Sequence, residues 1–413
     1  MIPTLLRRRT FLQTSWAFAI GLLVAQSLSA GTDGPAPSVV RTASGESFDG
    51  TLKALSEEKL VLVEQDRRRS WPTADLIRID FPLRAPAGLD NGSAAYLANG
   101  DRLKIRPIDA GAEILAADWR SFPLLQSMEI PLATVKAIAF EIPTSDADRG
   151  RLTKSLLGGT VSGDVLFLAN GDRARGEFLR LDKRSLFINT PGGEIGVERE
   201  GIQALRFSSE LISFPQPETP LVMATLIDGS RLTGRQVELN KNVLRFDALF
   251  GGQLKFPLAI VSSLQFLNGR FAYLSDLDPL EYRFTPFLSY PWELRRDGSV
   301  AGGPLLLRGA EFAKGLGMHS RCEVTYSLKG QYRLFHAIVG IDDSADGKGN
   351  ATIDVTLDGR ALFHRDSVDG DDPRLQVGAL DVAGGDRLTL TVDFGQFGDV
   401  GDRVNWCDAV VVE

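Results

Sequence analysis

Histidine is scarce in this chain: it occurs only at 319, 336 and 364, too dispersed to build a histidine-based transition-metal centre. Cysteine occurs twice, at Cys322 and Cys407, 85 positions apart, a spacing that fits no clustered zinc site. A disulfide between the two and a pair of unlinked buried thiols both stay open. Sequences that would announce chemistry are also missing: there is no G-x-S-x-G elbow, no H-E-x-x-H, no phosphate-binding loop and no dinucleotide fingerprint. The glycine-rich "GQFGDVGDR" (Gly395–Arg403) precedes no helical pattern, so it offers no helix dipole to a phosphate. Basic charge is in deficit, 46 Lys and Arg against 53 Asp and Glu, which argues against a nucleic-acid partner. Long apolar runs are lacking too. The run from Trp16 to Val24 falls short of the roughly 20 residues that span a bilayer.

What is present begins with an export signal over residues 1–30: arginines at Arg7, Arg8 and Arg9, then the apolar run, then small residues at Ser29 and Ala30. "RRTFLQ" (Arg8–Gln13) resembles the bacterial twin-arginine signal, which is a receptor-read address rather than an anchor. Cleavage near Ala30 leaves 43 basic against 53 acidic residues, a net charge of −10, and no stable membrane span. The expected location is periplasmic, cell-surface or secreted.

The remaining length predicts several domains rather than one core. Four stretches open on a turn and close on an alternating strand. From the turn glycines Gly45, Gly100, Gly171 and Gly229 to the closing Phe81, Phe140, Phe207 and Phe266 the spacings are 36, 40, 36 and 37. Within them "KLVLVE", "SLFINT" and "VLRFDA" read as strands, and Asn-Gly and Asp-Gly pairs read as hairpin turns. Each unit is expected to hold about five short antiparallel strands, and resembles the small bent barrels of the SH3-like or Sm-like type. The units are placed at 39–82, 93–142, 160–209 and 219–271. "NGDR" at Asn99–Arg102 and Asn170–Arg173 reads as turn structure rather than a binding face. Trp119 and Phe122 read as packing residues.

From Leu280 the texture changes to a long irregular lead-in carrying Tyr282, Phe284, Phe287, Tyr290 and Trp292, followed by compact strands. This predicts an antiparallel β-sandwich of jelly-roll type over 280–413. The chain is thus expected to be all-β throughout.

Four ordered blocks in the sandwich, "LRRDGSVAGGPLLLRGAEFAKGLGMHS", "EVTYSLKGQYRLFHAIVGIDD", "ATIDVTLDGRALF" and "GDVGDRVNWCDAVVV", resemble the NPCBM/NEW2 module first noted in glycoside hydrolases of family 98. The resemblance implies a galactose-binding-like sandwich that binds carbohydrate at a loop edge. It carries over Gly315, Gly317 and His319 to the Gly-Leu-Gly-Val-His block, with Met318 in place of valine. Asp342 and Asp343 fall on the Asp-Asp block, and Trp406 and Asp408 on the closing block. Cys407 takes a small-residue position and Asn405 departs from the usual neighbour. The candidate carbohydrate-binding residues are therefore His319, Asp342, Asp343, Asn405, Trp406 and Asp408. Tyr290 and Trp292 are further candidate platforms, although this lead-in must also dock onto its neighbour.

Asp342 and Asp343 open the polar turn "SADGKGN" and are the candidate calcium ligands, although a turn stabilised by its own Asp side chains is the plainer alternative. No other cofactor is implied. Adjacent strand residues point to opposite faces, so this pair makes a poor acid–base couple. The leading expectation is a non-catalytic exported carbohydrate-binding protein whose partner is a glycan or glycosylated surface. The alternatives are an envelope scaffold with a protein partner on the repeats, and a glycan-processing hydrolase.

Overall fold

A computed structural model of the chain describes residues 37–81, 92–215, 217, 220–287 and 291–413. The export signal expected over residues 1–30 and the aromatic candidate Tyr290 lie outside them.

The first repeat lays down Pro37–Thr42, Ser47–Leu55, Lys59–Glu64, Arg67–Pro72 and, after a single 3-10 turn at Thr73–Asp75, Leu76–Asp80. Strand alternation sets the buried side: Leu60 and Leu62 are fully enclosed while Lys59 points out. The other three stretches repeat this order, each with a 3-10 turn before its last strand, at Leu132–Thr134, Arg199–Gly201 and Leu258–Ile260. In the second, the second strand is broken at Lys104 into Arg102–Leu103 and Ile105–Ala110. First and last strands of every repeat pair antiparallel, as in Val40↔Ile79 and Val222↔Phe266. The four turn glycines all take positive φ, between +83° and +92°, which explains why the turn needs a residue without a Cβ.

The repeats do not stand apart. Closing strands pair across them, first with fourth (Leu264↔Ile79) and second with third (Ile138↔Leu205). Further single bridges at Arg231↔Arg102, Leu239↔Leu55 and Leu181↔Ala110 join all four into one 21-stranded antiparallel network. Side chains reinforce these seams. Asp101 of the second repeat accepts hydrogen bonds from the backbone N–H and hydroxyl of Thr233 in the fourth, each at 2.8 Å. Trp119 is buried edge-to-face against Phe256 of the fourth repeat, with ring centres 5.6 Å apart. In the NGDR turns, Asn99 and Asn170 donate to Asp101 and Asp172 at 2.8 Å and close the turns internally.

The stretch between the second and third repeats holds the one helix among the described residues, Asp146–Leu157. Leu152 and Leu156 bury into the core these two repeats share, and Arg206 donates to the carbonyls of Ser155 (2.8 Å) and Gly159 (2.5 Å) at the helix end. A cation there satisfies carbonyls that the helix itself leaves unpaired.

The C-terminal sandwich stacks two sheets. One runs Arg295–Arg296, Gly315–His319, Arg403–Val412, Leu334–Ile341 and Leu375–Asp381 in spatial order. The other runs Glu281–Phe284, Cys322–Ser327, Arg387–Phe394, Asn350–Leu357 and Arg360–Asp369. Phe271–Tyr273 also pairs with Arg403–Val412, so strands of the sandwich begin ahead of the expected Leu280. Alternating burial in Asn350–Leu357 marks a strand with one wet face. Arg403–Val412 is buried almost throughout, because the hairpin Leu305–Leu307/Ala310–Phe312 covers part of its outer side. Cys322 lies in the inter-sheet core and Cys407 in that outer cluster, and both are free thiols.

Candidate functional site

The paired acids Asp342 and Asp343 of the sandwich are fasteners. Asp342 caps a 3-10 turn: its Oδ1 accepts from the backbone N–H of Ser344 (3.0 Å), and its Oδ2 accepts from Leu306 N–H (3.1 Å) and Asn405 Nδ2 (2.5 Å). Asp343 takes the backbone N–H groups of Arg308 and Gly309, both at 2.7 Å, and pins the neighbouring hairpin. Four carboxylate oxygens engaged by five donors do not fit a calcium site. Among the described residues no group of three or more His, Cys, Asp or Glu is gathered to hold a metal.

Asn405 and Trp406 are likewise internal. Trp406 is 0% exposed in the inter-sheet core, with no ring face open to a sugar. The strand is central and its inward residues serve packing. Asp408, also buried, faces the repeats: it accepts from Arg41 Nη1 (3.1 Å) and Gln265 Nε2 (3.0 Å). Burial raises its pKa, opposed by the charges of Arg78 and Arg41.

His319 stands at the loop end where Gly315–His319 hands over to Cys322–Ser327, paired with Arg403, whose neighbour on the other side is Asp342. Its ring stacks on Trp292 at 4.4 Å between centres and 5° between planes, and its Nδ1 lies 2.9 Å from the Ser320 carbonyl. Burial lowers its pKa, opposed by the bond to the Ser320 carbonyl.

Around that stack the sandwich presents aromatic and apolar groups at its tip. Phe287 is 58% exposed, Phe397 69% and Val400 61%. Phe287 packs edge-on against Phe394, with centres 5.4 Å apart, and a Cβ on Gly398 would meet its ring at 3.5 Å. Beside them Arg321 pairs with Asp393 (3.3 Å), while Gln396 and Asp399 come from the loop itself.

A buried polar hub holds this loop. Asp402 accepts from the Ser320 hydroxyl (2.6 Å) and from Asn350 N–H (3.0 Å), and the Asn350 side-chain carbonyl accepts from Gln396 N–H (2.7 Å). Burial raises Asp402 to about 6, with Asp399 nearby adding to the rise. The backbones approach so closely that a Cβ on Gly349 would lie 2.3 Å from the Gly401 carbonyl oxygen. That contact accounts for glycine on both strands of the approach.

The sequence singled out Trp292 but missed Phe397 and Asp402. The signal was the glycine-rich loop itself, which was weighed only as a phosphate cradle. The tip is convex. Two hollows lie elsewhere: about 610 Å3 over Arg235 and Asp247 of the fourth repeat, and about 530 Å3 where the first and fourth repeats meet the sandwich.

Comparison with known proteins bears on this C-terminal part. Over 62 residues, 15% of this chain, the sequence is 40% identical to a putative endo-alpha-N-acetylgalactosaminidase of Renibacterium salmoninarum; the match spans 4% of that protein's length. Among solved structures, similarity is found to a CBM51 from Clostridium perfringens GH95 in complex with methyl-galactose, at 27% identity over 34% of this chain and 99% of that one, TM-score 0.32. A second is a C. perfringens ZmpB fragment comprising CBM51-2 in complex with GlcNAc and INT domains, at 24% identity over 46% of this chain and 43% of that one, TM-score 0.32. The NPCBM/NEW2 family model matches residues 270–412. The C-terminal sandwich of this chain is an NPCBM/NEW2 domain.

Proposed function

We propose that this is a non-catalytic exported carbohydrate-binding protein that holds a glycan at the loop end of its sandwich. What supports the reading is one coincidence: within the segment matching the NPCBM/NEW2 family, exposed aromatic rings and hydrogen-bonding side chains share a single tip. Aromatic faces stack on the apolar side of a sugar ring while neighbouring polar groups take its hydroxyls. Trp292 and Phe397 are the platforms in this reading. His319 steadies Trp292, and Arg321, Gln396 and Asp399 supply polar contacts. The repeats are four SH3- or Sm-like barrels, the sandwich is a jelly roll, and the chain works outside the cytoplasm on a glycosylated surface.

Methyl-galactose and GlcNAc, titrated into the full mature chain by calorimetry, test the proposal. Saturable binding to either that falls at least tenfold in Trp292→Ala or Phe397→Ala is the expected result. Binding to neither, by protein with an intact melting transition, overturns it.

A second reading, a scaffold with a protein partner, draws on another observation. Arg67–Pro72, Gly193–Glu198 and Gln253–Pro257 each pair with a single neighbour among the described residues. Such edges accept an added strand.

A further inference from the structure

The hollow between repeats and sandwich is lined on one side by arginines that converge on a single ring. Arg78 lies 4.9 Å from the Phe312 ring centre, and Arg41 and Arg374 each lie 5.7 Å from it. Two of the three are committed. Arg41 donates to Asp80 (2.6 Å) and Asp408, and Arg78 to Asp80 (2.7 Å), Gln265 (3.2 Å) and the Glu311 carbonyl (3.1 Å). Arg374 is different. Among the described residues nothing accepts a hydrogen bond from its guanidinium, and its one defined contact is the Phe312 face.

The carboxylates nearby are bonded to other cations, although the charge of Asp80 reaches Arg374. Asp80 is shared by Arg41 and Arg78, and the Glu311 carboxylate faces Arg102 (3.6 Å) and Arg231 (3.8 Å). Asp49, on the lining and exposed, has no cationic partner among the described residues and is an acceptor for a hydroxyl. Phe312 holds Arg374 by cation–π contact without using its N–H fork, leaving that fork for a planar anion.

We propose that this cleft is a second binding site, which takes a small polyhydroxylated carboxylate with its acid group on Arg374 and a hydroxyl on Asp49. The volume of about 530 Å3 lies in the range of small-molecule sites. Arg41 and Arg78 are fixed by their own partners, and Asp80 and Asp408 offset their charge, which leaves the free fork of Arg374 as the group that recognises an anion. Burial lowers the pKa of Arg374, and the like charge of Arg41 adds to that effect, a strain that an incoming anion would relieve. This site shares no residue with the loop end and does not depend on the glycan reading of it.

The test is calorimetric titration of the full mature chain at low salt with glucuronate and N-acetylneuraminate, against neutral glucose. Saturable binding of at least one acid, at least tenfold tighter than glucose, is expected. Arg374→Gln should abolish that preference and Arg374→Lys should restore part of it. Trp292→Ala should leave it unchanged. Arg374 makes no hydrogen bond that folding needs, so these variants should keep the wild-type melting transition. Binding of neither acid, equal binding in Arg374→Gln, or loss in Trp292→Ala instead would overturn the proposal.

Discussion

Arg41 and Asp408 form an ion pair, Nη1 to Oδ2 at 3.1 Å, across 367 positions of chain. Both side chains are largely withdrawn from water, and Asp80, Gln265 and Arg78 complete the surroundings. The pair therefore ties the first strand of the repeats to the last strand of the sandwich.

Removing one partner should expose the cost of the other. Arg41→Ala or Asp408→Ala is expected to lose less than the about 3–5 kcal/mol of a fully orphaned buried charge, since Asp80 still pairs Arg41 and Gln265 still bonds Asp408. Urea denaturation of the single variants checks this. The double variant should lose less than the sum of the two.

Trp406→Ala should destabilise the protein by about 3–5 kcal/mol, as a large aromatic is cut from a closed core. Trp292→Ala, at the loop end, should shift the melting temperature far less while weakening sugar binding. The two tryptophans are thereby separated by thermal melting run beside calorimetry.

Asp402 gives a pH signature. Its folded pKa, raised to about 6, exceeds the ordinary Asp value near 3.8, so the native state holds the proton more tightly. Its contribution to stability is therefore largest below about pH 4 and declines as pH rises toward 6, at a slope approaching about 1.4 kcal/mol per pH unit. Asp402→Asn should flatten that part of the pH–stability curve. An unchanged curve would mean that the carboxyl is not held as described.

Chelation should do nothing. With the oxygens of Asp342 and Asp343 accepting N–H donors, EDTA is expected to leave both the melting temperature and sugar binding unchanged. A drop of several degrees would restore the calcium reading.

Both thiols should be silent until the chain unfolds. Burial pushes Cys322 up to about 12 and Cys407 well above its usual range, so neither forms thiolate at neutral pH. A thiol reagent should find no cysteine in native protein and two after denaturation, and reductant should leave the melting temperature unchanged.

The β-rich character was legible because turn glycines, alternating strands and spacing all pointed one way, and the positive φ at Gly45, Gly100, Gly171 and Gly229 is the physical reason glycine stands at each turn. The joining of repeats was not legible: a strand such as Leu76–Asp80 reads the same whether its second edge faces water or Val261–Leu267. The helix Asp146–Leu157 hid in a stretch of low apolar content, fixed by Arg206 from a distant strand. At the site, the motif acids and Trp406 were visible as residues but not as directions. Burial at Asp342, Trp406 and Asp408 is decided by which strand is central and which face the repeats cover.

The pairing of first with fourth repeat, closed by Arg41 on Asp408, has a consequence for how the chain is made. Leu76–Asp80 waits for Val261–Leu267, and Arg41 waits for a residue near the far end of the sandwich. Such long-range contacts give a high contact order and slow folding. The first repeat therefore stays incomplete until Val261–Leu267 and then Asp408 have followed it out of the ribosome.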